Sequence, residues 1–455
     1  MPFDLFLTCV TAAIMCGLVV WNLPRKSFDP FAPLWLFLVG YAQVYVVQAI
    51  SYREYALRAR GEALVTEANL RALWALAWFL AVYFSGLGKR LAGWLPKAPT
   101  GWSPGLVAGM APGLIAWGLI CAGVALRDFE VSQEENIWRQ FPLMMLIAGV
   151  LLLVGGRQPG SQRPLQTIAG ALVIAAYALI WMLNGRRSHA LIGVLVGVCA
   201  WYLPRLRRPN SLVLAMTAVV CALAVSLALA WRTNTRYEPT PTGFIRFVTE
   251  FDPSSILVNL NLREADAETN TSGVQQSKET EEYGGFLLMM HAVPELSGFD
   301  FGASYLRMFS TYIPRLLWPD KPIFGRDAWI SAWKAGSEFK REDTFTGPAI
   351  GILGAAQLNG GAIGTLLVMG LAALMLRTAY DYYRYHAHTP WAQAWWALTY
   401  YNAWLMTVND DPLVWYYYIY GYTTLPLFAG LWLFLKLKGP GDEAFGAGFI
   451  QGQVA

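Results

Sequence analysis

Long apolar runs alternate with short polar loops over the first 231 residues, and then the alternation breaks. A helix that crosses a bilayer needs about 20 mostly apolar residues, fewer where neighbours shield it. By that measure the chain holds about eleven spans, near residues 3–22, 31–50, 70–88, 104–126, 141–156, 166–184, 189–204, 211–231, 349–376, 391–408 and 413–435. The expected fold is therefore an all-α polytopic membrane protein. Residues 1–231 form spans 1–8, residues 232–348 a single large outer loop, residues 349–436 spans 9–11, and residues 437–455 a tail.

The large loop has two characters. Residues 264–282 are polar and acidic, with too little apolar surface to offset the entropy of ordering, so they read as a mobile stretch. From Phe286 onward the loop turns apolar and aromatic. Leu306, Phe309, Ile313 and Leu317 recur at three- or four-residue spacing, which predicts a helix lying on the membrane surface or at the mouth of the bundle. Pro314, Pro319 and Pro322 then fix a corner that regular structure cannot continue through.

Composition agrees with the pattern. Hydrophobic residues make up 56% of the chain and charged residues 14%. Soluble chains carry about a quarter charged residues, so a water-covered globule is excluded. The five cysteines all lie in apolar runs without a CxxC spacing, and the four histidines include one close pair, His386 and His388. Neither a disulfide framework nor a metal site is expected, and no cofactor is called for.

Charge sets the expected orientation. Arg25 and Lys26, then Lys89, Arg90 and Lys97, then Arg157 and Arg163, then Arg205, Arg207 and Arg208 occupy alternate loops, and Arg377, Arg384, Lys436 and Lys438 continue on that side. The positive-inside rule makes this side cytoplasmic, with the N-terminus outside, the C-terminus inside and the large loop outside. The acidic loop at 127–140 falls on the outer side, as expected, whereas three arginines at 51–69 run against the rule.

Two outer turns carry polar groups at the rim of the bundle. Arg186 and Arg187 stand in a very short turn, where a charge is costly unless it meets an anion. The plain alternative is that both snorkel to lipid phosphates. Asn409 to Pro412 form an Asn-Asp-Asp-Pro turn, for which ordinary turn chemistry suffices. The aromatics of the last spans, Trp395 to Trp404 and Trp415 to Tyr422, suit a sugar path but also a plain interfacial belt.

Guanidinium forks grip phosphate well and keep their charge where water is scarce. Arg186, Arg187, Arg315, Lys321 and Arg341 could therefore converge on a lipid-linked diphosphate and stabilise it as a leaving group. His291, Glu295 and Asp343 are the outer-side candidates for a base that activates an acceptor hydroxyl, and the sequence does not choose among them. There is no Walker A motif, no cytoplasmic DxD and no soluble α/β domain for a nucleotide sugar.

The block Ile313-Pro314-Arg315-Leu316-Leu317-Trp318-Pro319-Asp320-Lys321-Pro322 is followed by a threonine- and proline-containing entry to a span with Leu358-Asn359-Gly360-Gly361-Ala362-Ile363-Gly364. These motifs resemble the O-antigen polymerase (Wzy-like) family, and the Arg186-Arg187-Ser188 turn is similar to an element these polymerases share with O-antigen ligases. The resemblance implies a metal-independent glycosyltransferase in the cytoplasmic (inner) membrane of a bacterium. It would polymerise polyprenyl-diphosphate-linked oligosaccharide repeat units at the outer face. Implied partners are the lipid-linked donor and acceptor, the bilayer, and a chain-length regulator and flippase of the same pathway; no nucleic acid is expected. The residues from Arg341 to Pro348 lack the histidine that ligases carry late in this loop, which favours polymerase over ligase. A flippase or transporter for lipid-linked oligosaccharide is the rival from another class, but the eight spans before the loop and the three after it show no internal repeat.

Overall fold

A computed structural model describes residues 1–25, 28–127, 141–160, 163–183, 187–232, 241–250, 281–310, 349–408 and 420–438, with isolated residues between 311 and 348. Among the described residues the protein is all helix, with no strand. The helices are α1 (Phe3–Asn22), α2 (Pro33–Ser51), α3 (Arg53–Arg60), α4 (Glu62–Phe84), α5 (Leu87–Trp94), α6 (Pro104–Arg127), α7 (Leu143–Gly156), α8 (Pro164–Leu183) and α9 (Arg187–Tyr202). They continue as α10 (Ser211–Arg232), α11 (Pro241–Thr249), α12 (Glu282–Ala292), α13 (Ala303–Ser310), α14 (Gly351–Tyr385), α15 (Pro390–Thr399), α16 (Asn402–Val408) and α17 (Leu425–Lys438).

Among the described residues, five helices are long and apolar enough to cross a membrane: α1, α2, α6, α8 and α14. A sixth span arises if α4 and α5, bent by 47° across Ser85-Gly86, count as one. Three shorter apolar helices lie at 143–156, 211–224 and 425–437. The apolar stretches expected at 31–50, 391–408 and 349–376 are helical but not uniform. Residues Gln43–Gln48 of α2 take a π-helical turn, the 391–408 stretch is split at Tyr400-Tyr401 into α15 and α16, and α14 continues to Tyr385.

Close helix approach explains the tightest packing. A Cβ at Gly170 would stand 2.5 Å from Leu153 N and 2.8 Å from Gly149 O, so α7 and α8 meet backbone to backbone through small residues. Aromatic side chains fill the core between α2 and α4, where the rings of Phe37 and Phe79 stack at 3.7 Å. Tyr41 OH donates to Ala72 O at 2.6 Å, giving a buried phenol the partner that low-dielectric surroundings demand.

Hydrogen bonds define two ends of the bundle. At one, Tyr380 OH donates to Asp29, Tyr400 OH to Pro30 O, Tyr382 OH to Pro96 O, and Trp432 Nε1 to Lys97 O. This end gathers the basic loops and is called the basic end. At the other, α3 and the starts of α1, α4, α12 and α14 come together around a polar seam. Of the surface helix expected across Leu306, Phe309, Ile313 and Leu317, only Ala303–Ser310 is described as a helix, α13, with Leu306 68% exposed and Tyr305 packed toward the core.

Candidate functional site

The polar seam starts at Asp4, a carboxylate wholly buried in the first turn of α1. Arg53 meets it with two parallel bonds, Nε to Oδ2 at 2.5 Å and Nη2 to Oδ1 at 3.0 Å. That hydrogen-bonded carboxylate holds the Arg53 guanidinium above its ordinary range. Asn69 of α4 donates to Asp4 O at 3.2 Å and accepts from Tyr283 OH at 2.7 Å. Tyr283 N in turn donates to Gln48 Oε1 at 3.0 Å. Gln48 Nε2 closes the chain on two adjacent carboxylates, Glu281 at 2.9 Å and Glu282 at 2.6 Å. Buried polar groups must find partners, and here the amides of Asn69 and Gln48 each use both donor and acceptor to tie one helix to the next.

A second string of bonds runs deeper. Arg71 is only 9% exposed, although it lies within α4. Its Nη1 donates to Gln357 Oε1 at 2.8 Å, and its Nη2 to Glu67 at 3.2 Å, a carboxylate that is 59% exposed. Gln357 Nε2 passes the link on to Val293 O at 2.6 Å. Thus one amide joins the buried guanidinium to the turn that follows α12. His291 and Glu295 flank that turn and both are exposed.

The turn packs against a break in α14. Gly360 and Gly361 leave helical geometry, and Gly361 takes φ 59° and ψ −129°, a conformation that an L side chain resists. Just before the break, Asn359 Oδ1 accepts from Gly302 N at 2.9 Å and Ser304 Oγ at 3.0 Å, while Asp300 N donates to Leu358 O at 2.9 Å. The Leu358-Asn359-Gly360-Gly361 motif therefore fastens residues 300–304 of the large loop to the broken helix. A Cβ at Gly361 would touch the Phe299 ring at 3.4 Å, so that ring packs directly over the break. Between α3 and α12 a shallow open cleft, with room for about one water molecule, is lined by Tyr52, Tyr55, Arg60, Tyr283 and Leu287 among others.

Of the residues singled out in the sequence, His291 and Glu295 are brought to this end of the bundle. Arg187 opens α9, and its side chain lies outside the described residues. Arg186, Arg315, Lys321, Arg341 and Asp343 lie outside them too, as do Asn409 to Pro412 and residues 264–280 of the acidic stretch 264–282. The last residue of that stretch, Glu282, is not a mobile one but a buried carboxylate at the start of α12, held by Gln48. Sequence reasoning missed Asp4, Gln48, Asn69, Arg71 and Gln357. Their signal was present, because each is a polar residue set inside or at the edge of an apolar run, and such residues mark functional positions in membrane spans. The arginines that ran against the charge rule at 51–69 have a reason as well, since Arg53 answers the buried Asp4.

Compared with protein-family models, with curated proteins and with solved structures, the chain matches none of them.

Proposed function

We propose that the protein is a membrane glycosyltransferase that polymerises polyprenyl-diphosphate-linked oligosaccharide repeat units, with its site at the seam end of the bundle. The observation that carries the reading is the join at Asn359 and Gln357. The motif that resembles the polymerase family is where the broken helix α14, the large loop and a buried guanidinium meet. A site of this kind needs a fixed polar floor beside the bilayer, since a charged leaving group gains most from preorganised donors in a low-dielectric setting. Arg71, anchored by Gln357, supplies such a floor.

In this reading the basic end faces the cytoplasm and the seam end faces outward, in the inner membrane of a bacterium, as the positive-inside rule requires. The shorter helices α7, α9, α10 and α17, with α15 and α16 taken together, bring the five long helices and the bent pair to a set of about eleven spans. Arg187, Arg315, Lys321 and Arg341 bind the diphosphate, and Arg186 assists at the rim. One of His291, Glu295 or Asp343 takes the proton from the acceptor hydroxyl as it attacks the anomeric carbon and the lipid diphosphate departs. Expected partners are the lipid-linked donor and acceptor, a chain-length regulator and a flippase.

The test is substitution. Arg187→Ala and Arg315→Ala should each abolish product while the protein stays folded and inserted. Near wild-type product length and yield from both variants would rule out the diphosphate clamp.

A second reading has its own support. The Gly360-Gly361 break inside a span and the π-helical turn in α2 are features of helices that line transport paths. For a lipid-linked oligosaccharide transporter, purified protein would move the lipid between leaflets without forming any glycosidic bond.

A further inference from the structure

The basic end carries cations that the proposed reaction does not use, and α5 lies among them. This short helix turns 47° away from α4 and packs on α14 through Gly88 and Ala92. A Cβ at Gly88 would stand 2.8 Å from Arg377 Cβ and 3.0 Å from Thr378 N, so that face is closed. Two other faces stay open. Leu87, 48% exposed, and Trp94, 80% exposed, share one side with half-buried Leu91, because positions three or four apart align on a helix. Lys89 and Arg90 are exposed on the other open side and pair with no carboxylate among the described residues.

Two carboxylates described at this end are already engaged. Asp29 accepts from Tyr380 OH at 2.6 Å, and Asp381 from Arg377 Nε at 2.7 Å. Elsewhere at the same end, cations lie over tryptophan rings: Arg25 over Trp21 at 4.5 Å, Arg157 over Trp201 at 3.5 Å, and Lys436 over Trp432 at 5.6 Å. Paired tryptophan and basic side chains at one level are what a membrane–water interface selects. His386 reports the local field: burial lowers its pKa, and His388, Lys97 and Lys436 lower it further.

We propose that α5 lies in the plane of the membrane interface. Leu87, Leu91 and Trp94 enter the acyl boundary, while Lys89 and Arg90, joined by Lys97 and Lys436, hold the phosphates of anionic phospholipids. Three observations select a lipid surface over an acidic protein. The apolar side of α5 is open where the chain turns by 47° out of α4, unpaired cations adjoin it, and the cation–tryptophan pairs recur on several other helices at the same end.

The test uses the full-length protein in nanodiscs of phosphatidylcholine with a minority of phosphatidylglycerol. Bound phosphatidylglycerol is counted by native mass spectrometry for wild type and for Lys89→Gln/Arg90→Gln. Two interfacial charges at about 1 kcal/mol each predict a loss of about thirtyfold in phosphatidylglycerol affinity. The melting temperature in pure phosphatidylcholine should not change, which shows that the fold is intact. Arg58→Gln/Arg246→Gln, which removes exposed cations from the opposite end, should leave the lipid preference as it is. Wild-type preference in Lys89→Gln/Arg90→Gln, or an equal loss in the control pair, would overturn the assignment. The first of those results would point to an acidic protein surface instead.

Discussion

Replacing Gln357 with leucine tests the join between the buried guanidinium and the large loop. The side chain is nearly conserved in volume, so the change removes polarity and leaves little cavity. Two bonds go: Arg71 Nη1 to Gln357 Oε1 at 2.8 Å, and Gln357 Nε2 to Val293 O at 2.6 Å. The first involves a charged donor, for which a hydrogen bond is worth about 1.5–3 kcal/mol, and the second leaves a buried carbonyl unpaired at about 1–3 kcal/mol. Together they predict a loss of about 2.5–6 kcal/mol, toward the lower end if water reaches Val293 O. Equilibrium unfolding in mixed micelles would measure it, and hydrogen exchange at residues 293–297 should accelerate, because those amides sit on the released turn. The double variant Arg71→Met/Gln357→Leu should recover part of the loss, since it no longer strands a buried charge. A loss below about 1 kcal/mol, with unchanged exchange and no coupling, would refute the claim that this amide ties α4 to the loop.

Other parts of the molecule give further expectations. Gly361→Ala forces a side chain into a positive-φ conformation beside Phe299, and should cost about 1–3 kcal/mol in unfolding experiments. Asp4→Ala removes both bonds from Arg53, which is a quarter exposed and can turn to water, and should cost about 1–3 kcal/mol, whereas Glu54→Ala, which breaks only the exposed pair with Arg58, should change stability by about 0.5 kcal/mol or less. The folded state holds His386 below its ordinary pKa, so it binds fewer protons there than the unfolded chain does. Its contribution to stability is therefore least unfavourable above about pH 6.5 and worsens as pH falls through that value toward the folded pKa. His386→Gln should flatten the acid side of a melting-temperature profile, and an unchanged profile would show that the imidazole does not titrate on unfolding.

How much of this was legible in the sequence depends on which force sets each feature. Hydrophobic period and length gave the helices, because burial against lipid or protein needs only the right residues in a row. They could not give the interruptions. The break at Gly360-Gly361 depends on Asn359 finding Gly302 and Ser304 some fifty-five residues away, and only tertiary contact makes that choice. The bend at Ser85-Gly86 turned the end of an expected span into the separate helix α5 for a similar reason: Gly88 lets it dock on Arg377. At the site, Asp4 and Arg71 were passed over because one polar residue barely alters the hydropathy of a span. Their partners, Arg53 and Gln357, lie 49 and 286 positions away. His291 and Glu295 stood out in the sequence only as titratable outer-side residues near the basic corner, and the structure shows both exposed around the turn after α12.

The proposal that the protein forms glycosidic bonds from a lipid-diphosphate donor is tested most directly by turnover of the purified protein with a lipid-linked repeat unit. Products would be resolved by length and freed lipid diphosphate counted. A ladder of chain lengths, with one lipid diphosphate released per bond, is the predicted result. A single transfer to a different lipid acceptor would make the enzyme a ligase, and movement of the donor between leaflets with no new glycosidic bond would contradict the account.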